Sequence, residues 1–457
     1  MGFAALILAA GAGTRMKSAR AKVAHELLGK PLVRWVVDAA RSAGATEIIT
    51  VLGHGREQVE PLVADTTVVI QEQRLGTGHA IMIARDALEQ LPPATPLVVL
   101  NGDTPLISAQ TIAALSNTLT DGAALSVLTF EVADATGYGR VIRSERGDVL
   151  RIVEEKDATA EERQVRECNS GAWCFDLGFL LANLDKLSCD NSQREYYLTD
   201  MLALAVAAGR PVQALKVDAG QAQGINSRLQ LAQATKTLQR AINIAHMEAG
   251  VTMTDPDLVW IGPEVTLEED VELKPMTFLV GKTFIGGGSE IGPNSRVVSS
   301  YVGRYCKVDE SVLLDAVLED GVNCGPRAYL RPGTVMKAGS KAGTHVEIKN
   351  SVIGENSKVP HLSYIGDARL GSDVNIGAGS ITCNFDGVSK HPTEIGNGSF
   401  IGSDTMLVAP VRVGAEAVTG AGSTITTDVP DGALAVERNK QEIIENWAER
   451  RKAKKDS

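Results

Sequence analysis

Three absences narrow what this chain can do. No stretch reaches the roughly 18 uninterrupted apolar residues of a bilayer span, so no membrane partner is expected. There is no surplus of positive charge either: 45 basic residues face 56 acidic ones, for a net charge of −11. That balance opposes sequence-independent attraction to nucleic acid phosphates or anionic lipid, and no nucleic acid partner is expected. A cysteine framework is missing too. Cys168, Cys174, Cys189, Cys306, Cys324 and Cys383 are scattered, with no metal-ligand spacing and no disulfide-dense pattern, which fits a cytoplasmic location. The apolar run 3–10 has no basic segment before it and a Gly-rich turn after it, so it reads as a buried strand rather than a signal peptide. Myristoylation at Gly2 would need Ser or Thr where Leu6 stands.

What is present divides in two. A chain of 457 residues exceeds what one hydrophobic core fills. In the first half, aliphatic runs at 4–8, 48–52, 67–70 and 97–100 alternate with helical patterns at 33–42 and 80–91. This rhythm predicts a parallel, doubly wound, Rossmann-like α/β sheet. Leu231, Ala234, Leu238, Ile242, Ala245 and Ala249 then recur at helical spacing, with Gly250 where the helix should stop. The expected domains are 1–228, a linker helix over 229–249, and 250–457.

Beyond Gly250 the period becomes six. It runs through Ile285, Ile291 and Val297, again through Ile353, Val359 and Ile365, and most cleanly through Ile395, Ile401, Leu407, Val413 and Ile425, with Thr419 in the weak slot. A small or β-branched residue often stands four places later, as at Ser289, Ser295, Ser357, Ser399, Thr405 and Ser423. Six-residue repeats of this kind suit a parallel β-helix, each hexad forming one flat side of a coil. From Ile376 to Ile395 the step is 19 residues, not a multiple of six, so a loop must leave the coil over 382–390. Loops extruded from solenoids tend to be functional.

The segment Leu8-Ala9-Ala10-Gly11-Ala12-Gly13-Thr14-Arg15-Met16 runs from a strand into a glycine turn, with Lys22 soon after. Such a turn lets backbone N–H groups approach phosphate, and Arg15 and Lys22 can neutralise it. By itself Gly11-x-Gly13 is as compatible with an empty turn. The third glycine of a dinucleotide fingerprint is replaced by Met16, and no Gly-Lys-Ser/Thr loop follows. Asp103, after the strand ending at Leu100, puts a carboxylate at the carboxyl edge of the sheet. It is a natural Mg²⁺ ligand, or alternatively a cap for the turn before Pro105.

The Leu8–Met16 string resembles the signature of sugar-nucleotide pyrophosphorylases. Joined to the hexads, the chain resembles the family of bifunctional N-acetylglucosamine-1-phosphate uridyltransferases/glucosamine-1-phosphate acetyltransferases. Further matches are Gln71 with Leu75-Gly76-Thr77-Gly78-His79-Ala80, Thr136-Gly137-Tyr138-Gly139-Arg140, Glu154-x-Lys156-Asp157, Asn169-Ser170-Gly171, Glu195-Tyr196-Tyr197-Leu198-Thr199-Asp200 and Gly224-Ile225-Asn226-Ser227-Arg228. The resemblance implies UTP and acetyl-CoA as co-substrates and synthesis of UDP-N-acetylglucosamine. It implies substrate bound by Leu8, Ala9, Ala10, Gly11, Gln71, Gly76, Thr77, Asn101 and Gly102, with Gln71, Gly76 and Thr77 at uracil. Gly139, Glu154 and Asn169 would hold the sugar, Asp103 and Asn226 Mg²⁺, and Arg15 and Lys22 the developing phosphate charge. Asn101 departs from the family pattern, which has Tyr there.

In the hexad half, polar residues break the bland repeat. By the same resemblance His361 is the general base for acetyl transfer, Arg331 and Lys349 grip the sugar phosphate, and Tyr364, Asn375, Asn384 and Phe385 surround the sugar. Phe385 stands where the family has Tyr. Ala378, Ser403, Ala421 and Arg438 would lie along coenzyme A. Imidazole suits the base role because it is largely uncharged near neutral pH. The other six histidines read as structural, and His25-Glu26 lacks the second zinc histidine, since Gly29 stands there. One alternative keeps the nucleotidyltransferase and makes the β-helix purely structural; His361, Lys349, Arg331 and Asn384 argue against it. Another is a nucleotide-sensing scaffold, which the joint presence of Arg15, Lys22, Asp103 and Asn226 disfavours. A homotrimer is expected, because hexapeptide helices associate side by side. The basic tail from Arg450 to Lys455 reads as a solvated end.

Overall fold

The computed structural model describes residues 2–453, so Lys454 and Lys455 of the basic tail lie outside the described residues. The chain divides into two compact units, 1–238 and 239–457.

The first unit is built on a nine-stranded sheet whose main path runs Val212–Val217, Leu125–Glu131, Glu167–Asp176, Pro96–Asn101, Phe3–Ala9, Ala45–Leu52 and Thr67–Ile70. Side chains alternate across it, so one strand feeds two cores. Ala4 and Leu6 join Ile49, Val51, Leu97 and Val99 on one face. Phe3, Ala5 and Ile7 join Ile48, Leu52, Val98 and Leu100 on the other. Fully burying a Leu or Ile contributes about 1.5–3 kcal/mol, so the two-sided pattern fixes the register.

Two expectations need correction. The sheet is mixed rather than parallel, because Glu167–Asp176 runs antiparallel between Pro96–Asn101 and Leu125–Glu131. Aliphatic patterning marks a strand without its direction, and the reversal follows the hairpin of Arg140–Arg143 with Val149–Val153. The helix expected over 80–91 is two short ones, Thr77–Ile83 and Arg85–Leu88. The Ala84 N–H is shared between the carbonyls of Ala80 and Ile81, which tightens the turn while the apolar period continues through it.

The second unit is a three-sided parallel β-helix. Among the described residues its strands sort into sheets of eleven, ten and nine, which take every third strand in sequence up to the last step, where Val418–Thr419 pairs with Leu434–Ala435 two strands on. Ile285, Ile291, Val297, Ile353, Val359, Ile365, Ile401 and Val413 are fully buried along its axis. The small residue four places on also serves the backbone. Ser357 Oγ donates to the Gly371 carbonyl at 2.6 Å and accepts from the Val374 N–H at 2.9 Å. Corner hydroxyls thus satisfy backbone groups of the next coil that would otherwise be buried unpaired.

The helix Arg228–Glu248 straddles the division. Leu231, Ala234 and Leu238 pack with Leu27, Leu32 and Ile225 in the first unit. In the second, the amides of Gln239 and Asn243 donate to the carbonyls of Asp257 and Pro256. Gly250, at φ +95°, ends the helix in a conformation that favours glycine.

Candidate active sites

Phe3–Ala9 and Pro96–Asn101 are hydrogen-bonded neighbours, so the turns after them open together at the carboxyl edge of the sheet, where α/β folds bind ligands. A cleft of about 610 Å³ lies there, lined by Leu8, Ala9, Ala10, Gly11, Lys22, Gln71, Gly76, Thr77, Asn101 and Asp103. A second cavity of about 230 Å³ adjoins it through the shared Leu8, Thr77, Asn101 and Asp103, and takes in Gly139, Glu154, Asn169 and Asn226. The sequence-predicted nucleotide and sugar residues therefore fall into two connected chambers. Two lie outside both. Gly102 is buried behind the edge, donating to the Leu8 carbonyl at 2.9 Å. Arg15 is exposed on the turn Thr14–Met16, although its charge reaches Tyr138 of the smaller cavity.

At the seam, the Lys22 ammonium bonds to the Asp103 carboxylate and, at 3.2 Å, to the Asn226 side-chain oxygen. A cation already lies between the two residues expected to hold Mg²⁺. One carboxylate and one amide oxygen are the hard donors that ion prefers. Among the described residues no group of three His, Cys, Asp or Glu could enclose a metal, and two protein donors leave positions that phosphate and water can fill.

Two glycines are required by approach. A Cβ on Gly76 (φ +103°) would lie 2.6 Å from the Tyr196 carbonyl, and one on Gly13 (φ +60°) 2.5 Å from Lys22 Cβ. A side chain at either position would push the walls of the cleft apart. In the smaller cavity, burial pushes the Glu154 carboxyl above its ordinary value. The Thr199 hydroxyl opposes the shift, and Asp157, Asp200 and Glu195 add to it.

Some neighbours carried no assigned role in the sequence, although Glu195, Thr199 and Arg140 stand within the strings quoted above. Arg74 and Glu195 line the larger cleft, Thr199 the smaller. Arg140, itself buried, pairs with Glu155 at 2.7 Å and also donates to the Tyr138 carbonyl. It ties the loop bearing Gly139 to the segment bearing Glu154.

In the second unit the register stacks the acetyl-site candidates. Glu347 pairs with Tyr364, and Lys349 with Gly366, on adjacent coils of one face. Arg331 sits one coil earlier, its N–H donating to the Ile348 carbonyl; it pairs with Glu347 at 2.7 Å and lies over the Tyr329 ring. Lys349 meets Lys390, and that second ammonium, followed by desolvation and then Arg331, lowers the Lys349 pKa against the opposing Asp367. Lys390 belongs to the extruded loop, and sequence reasoning missed it because the loop's return path obeys no period. Such crowding of positive charge is what a phosphate would relieve. Asn384 is buried and donates to Asp367 at 2.5 Å, with Tyr364 Oη 3.5 Å away, whereas Phe385 is exposed on the loop.

His361 lies at a corner of the prism with its ring exposed. Thr344 pairs with it in register. Ala378, Ser403 and Ala421 continue the same column, since Asp404 N–H donates to Ala378 and Gly422 N–H to Ser403. Arg438 reaches the Ala421 carbonyl at 3.1 Å. Asn375 sits on the adjoining face, paired with Lys358 and Phe400.

Comparison with known proteins follows this division. Residues 5–167 match the MobA-like NTP transferase domain, and 392–427 match the bacterial transferase hexapeptide repeats. The bifunctional protein GlmU of Caldanaerobacter subterraneus subsp. tengcongensis is 48% identical over 448 residues, 98% of this chain and 97% of that relative. The chain belongs to the GlmU family. The GlmU proteins of Carboxydothermus hydrogenoformans and Heliobacterium modesticaldum are 47% and 48% identical, covering 97% and 98% of this chain and 99% and 98% of theirs. The chain is thus a bifunctional transferase of UDP-N-acetylglucosamine synthesis. Its first unit is a nucleotidyltransferase and its second a left-handed β-helix of the hexapeptide acyltransferase class, with nucleotide and acetyl-CoA substrates. No helix among the described residues is long and apolar enough to cross a membrane.

Proposed function

We propose that the second unit acetylates glucosamine 1-phosphate and the first then couples the product to UTP, each using the residues assembled above. The observation that carries this reading is the Lys22 ammonium between Asp103 and Asn226 where the two chambers meet. The larger chamber takes the nucleotide, with Gln71, Gly76 and Thr77 at the base. The smaller takes the sugar, with Gly139, Glu154 and Asn169 around it. A sugar 1-phosphate oxygen attacks the α-phosphorus of UTP, and the bond to the leaving pyrophosphate breaks. No side-chain nucleophile is involved. Lys22, Arg15 and the turn at Gly11 oppose the charge that accumulates. Asp103 and Asn226 would hold Mg²⁺, which when bound neutralises phosphate charge.

In the second unit the 2-amino group attacks the thioester carbonyl, and His361 takes the proton it sheds as the coenzyme A thiolate leaves. Arg331, Lys349 and Lys390 hold the phosphate, and Tyr364, Asn375, Asn384 and Phe385 flank the sugar. Ala378, Ser403, Ala421 and Arg438 run beside coenzyme A. We read the assembly as a homotrimer in the cytoplasm. Phe284, Tyr301, Val317, Val335 and Val352 align in register as an outward apolar column on one face, an unusual surface for an isolated prism. We keep 1–228, 229–249 and 250–457 as the functional limits.

Incubating the chain with glucosamine 1-phosphate, acetyl-CoA, UTP and Mg²⁺ should yield UDP-N-acetylglucosamine, free thiol and pyrophosphate. Product formed only when N-acetylglucosamine 1-phosphate is supplied would reduce the β-helix to a structural module. Sedimentation of an active monomer would remove the trimer.

A further inference from the structure

We propose that His79 is a positioning residue: it fixes the Gln71 amide so that only an acceptor faces the nucleobase, which selects a base with an imide N–H. This rests on the uridylyl-transfer reading above.

Gln71 follows the strand Thr67–Ile70 and is 3% exposed. Its amide nitrogen lies 3.2 Å from the Gly76 carbonyl oxygen and 2.9 Å from His79 Nδ1. A carbonyl oxygen can only accept, so the NH₂ end of the amide must face Gly76. One N–H goes to Gly76 and the other to His79, whose Nδ1 must therefore carry a lone pair and whose proton must sit on Nε2. An imidazolium would set a donor against a donor. Gln71 lines the cleft, and the polar atom left to face it is Oε1.

The ring that imposes this is itself held. His79 belongs to the helix Thr77–Ile83 and stacks on Tyr196, with centroids 6.2 Å apart and planes at 27°. Tyr196 N–H donates to the Leu75 carbonyl at 2.7 Å, and Gly78 N–H to the Tyr196 carbonyl at 2.8 Å. Both sides of the contact are thus tied to the same loop.

A glutamine amide is ambivalent, because a half-turn exchanges its oxygen for its nitrogen. Uracil and thymine present N3–H between two carbonyls, whereas cytosine presents a lone pair at N3. A Gln71 held only by the Gly76 carbonyl at 3.2 Å could turn at the cost of that one bond, whereas the 2.9 Å contact to His79 adds a second. Anchored by His79, it meets cytosine N3 with acceptor against acceptor, and discrimination follows from that repulsion.

The test uses the full chain. His79→Leu removes the acceptor; His79→Asn retains one, since Asn Oδ1 occupies the bonded position of Nδ1. kcat/KM is measured with UTP and with CTP, alongside the KM of N-acetylglucosamine 1-phosphate and acetyl transfer on the same preparations. The UTP-to-CTP ratio should fall about tenfold in His79→Leu, recover to within a few-fold of wild type in His79→Asn, and leave the other two quantities unmoved. Nitrogen-15 spectra of the wild type should show His79 Nδ1 unprotonated and Nε2 protonated. A protonated Nδ1, an unchanged ratio, or equal loss with both nucleotides in His79→Leu would overturn the role of His79 alone. A wild-type chain unable to use UTP would instead overturn the reading beneath it, before any variant is made.

Discussion

The Lys22 ammonium bridges the Asp103 carboxylate and the Asn226 side-chain oxygen, the latter at 3.2 Å, although its partners lie 81 and 204 residues further along the chain. One cation thus joins three distant parts of the first unit at the point where bound phosphate would sit. Removing either acceptor unbalances the ammonium as well as the site proposed above for Mg²⁺.

Asp103→Ala should lower uridylyl transfer by at least about 10²-fold, the scale of a preorganised electrostatic partner in a closed site. Acetyl transfer in the same sample should be unchanged. Parallel loss of both activities in a folded variant would refute independent sites.

His361→Ala should reduce acetyl transfer by roughly 10²–10⁴-fold, the usual contribution of a positioned general base. Uridylyl transfer and thermal stability should stay near wild type, because the ring is exposed and fills no core. Acetyl transfer within a few-fold of normal would rule the base out.

Glu154 gives a pH signature. Its carboxyl holds a proton more tightly in the folded chain than the ordinary value of 4.5. The folded state therefore binds more protons, and this group's stabilising contribution, complete below 4.5, is lost as pH rises through the elevated value. Glu154→Gln should flatten the fall of melting temperature above pH 4.5 and raise stability at neutral pH. It should also raise the KM of the sugar phosphate. A variant less stable at pH 7 than wild type would contradict this.

Ser357→Ala leaves the Val374 N–H and the Gly371 carbonyl without their buried hydroxyl, at a cost of about 1–3 kcal/mol. Ile353→Ala in the same hexad should cost about 2–5 kcal/mol through the cavity it opens. Denaturant midpoints for the second unit measure both, with uridylyl transfer as the internal control.

Regular features were readable from sequence and irregular ones were not. The hexad period gave the β-helix because one inward residue every six is a strict geometric demand, met by Ile353, Val359 and Ile365 alike. The chamber residues were reachable because they cluster in short strings at strand ends. Lys390 beside Lys349, Arg140 bound to Glu155, and His79 on Gln71 are meetings across loops, and no local pattern encodes where a loop returns. The reversal of Glu167–Asp176 escaped for a related reason: burial dictates which residues form a strand, and the connection dictates which way it points.

The corner column from Thr344 through His361, Ala378 and Ser403 to Ala421 crosses successive rungs of a ladder in which each rung is held chiefly by its neighbours. Such a ladder frays from its ends. Melting inward from the last rungs would release Ala421 and Ser403 while the rung bearing His361 stayed closed. With the roles proposed above, affinity for the acyl carrier would then fade before proton-transfer capacity did, and amide exchange should be graded along the column, fastest at Ala421 and slowest toward Thr344.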